Sequence, residues 1–65
     1  MADVKVKDIV LFHDDHEYKG YVGVVRNMET IRGETFYEIV IHEDGRIKDV
    51  VIAVRREFDV VGEML

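Results

Sequence analysis

Apolar and charged residues alternate at the start of the chain, with Val4 and Val6 set between Lys5 and Lys7. The short run Asp8 to Phe12 (DIVLF) follows, bounded by charge, and this patterning predicts a first strand. Residues 13–20 (HDDHEYKG) break the alternation with the Asp, His and Gly content of a loop. The period of two resumes in YVGVVR, predicting a second strand from Tyr21 to Arg26. Residues 27–34 (NMETIRGE), with Asn27, Gly33 and scattered charge, read as another connection.

The segment TFYEIVIHEDGRIKDVVIAV is the most informative. Its Asp44-Gly45 pair is the dipeptide preferred by a two-residue hairpin turn that needs positive φ at both central positions. That turn sets Glu43 opposite Arg46, Ile41 opposite Lys48, Ile39 opposite Val50 and Tyr37 opposite Ile52. One face then collects Tyr37, Ile39, Ile41, Val50 and Ile52 as core. The other collects Phe36, Glu38, Val40, His42, Ile47, Asp49, Val51 and Ala53. A turn over Arg55–Glu57 leads to a fifth short strand containing Phe58, Val60 and Val61. A competing pattern puts Val50, Val54, Phe58, Val61 and Leu65 at helical spacing behind Asp49 as N-cap, which would make the fold α+β with a C-terminal helix. The β-branched run VVIAV favours the strand, because such side chains lose rotamer freedom in a helix and suit a pleated surface.

Five short strands in one chain of 65 residues predict an all-β fold, a small and strongly bent barrel occupying residues 1–65 as a single domain. Gly20 and Gly23 lie inside the strand-like stretch YKGYVGVVR, where glycine normally weakens pairing. A bulge in a sharply bent strand would account for them. So would a loop end with positive φ at Gly20 and, at Gly23, room for an aromatic such as Tyr37 or Phe58.

The residues VKVKDIVLFHDDHEYKGYVGVVRNM resemble the KOW motif of SH3-like barrels, found in ribosomal proteins of the large subunit and in transcription elongation factors of the NusG type. Lys7, Asp8 and Val10 stand in the first part of the motif, with Lys7 where glycine is common. Lys19, Gly20, Gly23 and Val25 stand in the second. The closing VRREFDVVG is also similar to the final turn and strand of such barrels. The resemblance implies a five-stranded SH3-like barrel that binds nucleic acid or protein through the loops at one end.

Composition narrows these options. Cysteine and serine are absent, which excludes disulfides, thiolate metal sites and the commonest nucleophiles, and points to a reducing, cytoplasmic setting. The first residues lack the uninterrupted apolar stretch of a secretory signal. Fourteen acidic residues against nine basic give a net charge of −5, opposite in sign to the basic stripe that binds phosphates. No base, oriented partner and pocket stand out together, so no enzyme activity, catalytic residue or cofactor is expected. The cluster His13–Glu17 offers imidazole and carboxylate ligands, but neighbours on one loop rarely wrap a single ion, and a solvated loop is the expectation there.

The leading expectation is a non-enzymatic protein-binding or regulatory module. Its site would be Tyr18 and Tyr21 with the acidic residues Asp14, Asp15 and Glu17, meeting a basic or apolar partner. The alternative is an RNA-, ribosome- or transcription-associated domain using Lys19, Arg26, Arg55 and Arg56 on phosphates, which the acidic loop opposes. A third expectation is a small accessory subunit of an enzyme. It would dock, or pair with a second copy, through the outer face of the 35–54 hairpin, where Phe36, Val40, Ile47 and Val51 form a strip edged by Glu38, His42 and Asp49.

Overall fold

A computed structural model describes residues 4–64 as one antiparallel sheet of five strands. These are β1 (Asp8–Phe12), β2 (Val22–Ile31), β3 (Glu34–Glu43), β4 (Arg46–Val54) and β5 (Phe58–Glu63), with a single 3₁₀ turn at Arg55–Glu57 before β5. The fold is all-β. The C-terminal helix is overturned, since the β-branched run 50–54 pairs with β3 along its length; Leu65, the last position of that pattern, lies outside the described residues. Among the described residues no helix is long and apolar enough to cross a membrane.

The spatial order is β4-β3-β2-β1-β5. β1 therefore sits between the second strand and the last, while β4 and β5 are the two edges. The expected closure into a barrel is not reached, because no ladder joins β4 to β5. Bending comes from three bulges, at which Arg26 on β2, Lys48 on β4 and Val61 on β5 are the extra residues. Such insertions increase twist and turn a strand out of plane, which lets this short sheet curl around its own side chains.

Two features differ from the expectation. β2 does not stop at Arg26; it runs through the bulge to Ile31, and residues 27–34 are not a loop. They form the tip of a hairpin whose turn is Arg32-Gly33, with φ of 51° and 84°. That positive pair is the same turn chemistry as Asp44-Gly45, at 53° and 76°. The hairpin arm is mostly exposed, so no burial alternation marks it in the sequence.

The second difference is the register of β3 on β4. Glu43 faces Arg46 as expected, but the Lys48 bulge shifts every later pair by one residue: Ile41 faces Asp49, Ile39 faces Val51 and Tyr37 faces Ala53. A one-residue slip reverses the faces of everything beyond it. Val51 and Ala53 therefore turn to the core beside Tyr37, Ile39 and Ile41, while Val50 and Ile52 turn outward, Ile52 at 62% exposure. The outer face thus carries Phe36, Val40, Ile47, Val50 and Ile52 and not Val51, and Val40 is buried there. It continues across the sheet, since Ile9 faces Val24, Val24 faces Val40 and Val40 faces Val50.

The core lies on the concave side. Val4, Val10, Phe12, Val25, Tyr37, Ile39, Ile41, Ala53 and Phe58 are buried there, each large aliphatic or aromatic side chain contributing about 1.5–3 kcal/mol by leaving water. Phe58, fully buried, meets Tyr37 edge-on at 5.3 Å and Phe12 at 6.2 Å. β5 is anchored through that ring.

Candidate interaction site

Residues 13–21 connect β1 to β2 across the core-side mouth of the sheet. Three successive turns coil this loop: His16 N donates to His13 O (3.0 Å), Lys19 N to His16 O (3.1 Å) and Tyr21 N to Tyr18 O (3.1 Å). Gly20 takes the positive φ of 82° that ends the coil, which answers half of the glycine question. Gly23 answers the other half by close approach, although the neighbour is Ile39 and not an aromatic: a β-carbon there would lie 2.5 Å from Ile39 Cγ2.

Side chains fasten the loop to the sheet. The His16 ring stacks on Phe12 at 4.2 Å, and its Nδ1 accepts a hydrogen bond from Tyr18 N at 3.0 Å. An accepting Nδ1 leaves the ring proton on Nε2, which faces the Glu57 carboxylate 3.5 Å away. His13 Nε2 lies 3.1 Å from Asp59. Tyr18 packs edge-on against Tyr21 at 5.8 Å between centroids, and both rings lean on the core while remaining half-exposed.

Two residues of β4 complete this cluster. Tyr18 OH donates to the Asp49 carboxylate, and Lys48 Nζ stands 5.5 Å above the Tyr21 ring, within the range of cation–π attraction. The hydrogen bond to Asp49 pushes the Tyr18 phenol up to about 12, while the same bond, with a second from Val50 N, holds the Asp49 carboxyl below its ordinary range. Lys48 carries no sequence signal for a site, and Asp49, expected at the edge of the outer strip, lies on the opposite face. They lie 31 residues from Tyr18 in the Asp49 case, and only the bulge turns Asp49 to the loop side.

The structure brings Tyr18 and Tyr21 together, with Asp14, Asp15 and Glu17 exposed on the same coil. It disperses the basic residues. Lys19 is exposed on the loop, Arg26 pairs with Glu38 at 2.6 Å on the β2–β3 arm, and Arg56 lies 3.7 Å from Glu34. Arg55 donates to the Phe58 carbonyl at 2.6 Å and covers the Phe58 ring. Among the described residues, no three His, Asp or Glu side chains converge as a metal-binding group.

A groove of about 590 Å³ runs between the loop and β4, lined by Asp15 and His16 from the loop and by Glu34, Phe36, Ile52, Val54, Arg56 and Glu57 among the residues facing it. The groove thus sets carboxylates on both of its walls beside the Phe36 ring and the Ile52 side chain. Compared with protein family models, with curated proteins and with solved structures, the chain has no significant match.

Proposed function

We propose that this chain is a non-enzymatic protein-binding module whose contact surface is the 13–21 loop. The observation that carries the proposal is the paired Tyr18 and Tyr21 rings, held by Asp49 and Lys48 and rimmed by the exposed carboxylates of Asp14, Asp15 and Glu17. Rigid aromatic rings supply contact area at low entropic cost, and surrounding carboxylates steer a cationic partner. Dispersal of Arg26 and Arg56 into ion pairs with Glu38 and Glu34 supports protein over nucleic acid as the partner, since phosphate binding needs converging unneutralised cations.

The meander β1 to β4, the 3₁₀ turn and the return of β5 to β1 support an SH3-like ancestry of the KOW kind. Lys7 adds to this reading: its φ of 79° falls where the motif commonly carries glycine.

The test is a titration of the isotopically labelled chain with an arginine-rich peptide and with an acidic peptide of equal length, followed by NMR. Shifts from the arginine peptide alone, centred on residues 14–21 and abolished by Tyr18→Ala with Asp14→Asn and Asp15→Asn, are the expected result. Binding unchanged in that triple variant, or no binding, removes the loop as the site.

A further inference from the structure

Among the described residues β4 has a strand on one side only, and its outward edge has an unusual occupancy. Val50 N donates to Asp49 Oδ1 at 2.7 Å and Val54 N to Glu57 Oε1 at 2.9 Å, so neither amide is spent on β3. In an antiparallel ladder the residues whose amides face away from the partner alternate. From Asp49 to Val54 the pairing is regular, which puts the N–H and C=O groups of Val50, Ile52 and Val54 along the free edge. Two carboxylate oxygens thus sit where the carbonyls of an added strand would sit, at both ends of the stretch, with the Ile52 amide between them.

The two sides of this edge differ in chemistry. Asp49 lies on the loop side, where Asp15 and Glu57 line the groove together with Arg56, whose charge is met by Glu34 at 3.7 Å. Val50, Ile52 and Phe36 make the outer side, which is apolar except for Glu38 opposite Ile52. We infer that the β4 edge between Val50 and Val54 accepts an extended peptide as a sixth strand, cationic on its loop-facing side chains and β-branched on its outer ones. The inference rests on the protein-binding function proposed above and names the form of the partner. Carbonyls of the incoming strand replace the Asp49 and Glu57 carboxylates on the Val50 and Val54 amides. The displaced carboxylates then face its cations, so the main-chain exchange and the charge pairing happen at the same two places. Charge selects a peptide over a second copy of this chain, because two copies meeting here would each bring a net charge of −5 and the same carboxylates.

The experiment uses a capped eight-residue peptide alternating lysine and valine, and a second peptide of the same sequence N-methylated at the alternate amides that would face β4. Labelled protein should show the Val50, Ile52 and Val54 amide signals moving with the first peptide, and at least tenfold weaker binding of the second. Equal binding of both, with shifts confined to residues 14–21, overturns strand addition and leaves the loop site standing. No binding of either also overturns it, while the loop site is judged separately by the arginine-peptide titration. Sedimentation showing that the protein alone dimerises through β4 at the same concentrations would overturn the peptide as occupant.

Discussion

Gly23 and Ile39 are in contact so close that a β-carbon at position 23 would stand 2.5 Å from Ile39 Cγ2 and 3.3 Å from Val10 Cγ2. Ile39 is fully buried and β-branched, so its methyl has no alternative rotamer to retreat into without displacing the core. Glycine at 23 is therefore a packing requirement, and the backbone there needs no positive φ.

Gly23→Ala is expected to destabilise the fold by about 1–3 kcal/mol, the usual cost of overpacking, lowering the melting temperature by roughly 4–8 °C for each kcal/mol in a domain of this size. Combining it with Ile39→Val, which leaves Cγ2 in place, should restore little, whereas Ile39→Ala should relieve the clash at the expense of a cavity. Thermal denaturation of the three variants checks this. A Gly23→Ala protein as stable as the wild type would show that the sheet can part at this point.

Lys7 gives the opposite sign. Its φ of 79° costs an L-residue about 1–2 kcal/mol, and the conformation is fixed by Lys7 N donating to Val25 O (2.8 Å) and by Met64 N donating to Lys7 O (2.8 Å). Lys7→Gly should stabilise the protein by up to about 1 kcal/mol after the extra freedom of glycine in the unfolded chain is subtracted. Urea unfolding measures it, and a loss of stability would mean that the lysine side chain contributes more than its backbone costs.

Asp8 is buried beside Lys5. Burial raises its pKa, but hydrogen bonds from Lys5 N (2.9 Å) and Lys5 Nζ (2.9 Å) outweigh that and hold the carboxyl below the ordinary 3.8. Its folded pKa lies under its unfolded one, so the stabilisation is complete above about pH 4 and is lost as pH falls through the folded value. Asp8→Asn should cost about 1–3 kcal/mol near neutrality, and the difference from wild type should shrink as the pH falls below the ordinary carboxylate value of 3.8. A difference independent of pH would assign the effect to packing.

The Tyr18–Asp49 link predicts a titration. With the phenol pushed up to about 12, Tyr18 should ionise well above the ordinary 10.0, and Asp49→Asn should bring it back toward that value. Because the folded value is the higher one, the contribution of the bond is full below about pH 10 and disappears as pH rises through about 12. Tyrosinate absorbance of the wild type, Tyr18→Phe and Asp49→Asn reads this directly; identical curves for wild type and Asp49→Asn would show that the two residues do not meet in solution.

How far the sequence could be read depended on whether a feature was local. The Asp44-Gly45 turn needs only its own two residues to adopt positive φ, and it formed where its dipeptide stands. The Arg32-Gly33 turn has the same geometry but went unread, because arginine is not a habitual left-handed residue and its exposed arm shows no alternation. The loop tyrosines were legible as aromatics in a polar stretch. Their partners Lys48 and Asp49 were not, since the pairing rests on a bulge that nothing in RIKDVV announces.

By itself the sequence favoured an all-β chain over one with a C-terminal helix, and determined that it turns at Asp44-Gly45 and that its first loop is acidic and carries Tyr18 beside Tyr21, because propensity, turn chemistry and charge belong to individual residues and their nearest neighbours. The tertiary structure decided which side chains face inward beyond Lys48, why Gly23 must be glycine, that the sheet stays open between β4 and β5, and that Asp49 meets Tyr18. Each of these turns on how a distant strand lies against its neighbour. A single inserted residue at a bulge shifts that relation while leaving the local pattern on either side of it unchanged.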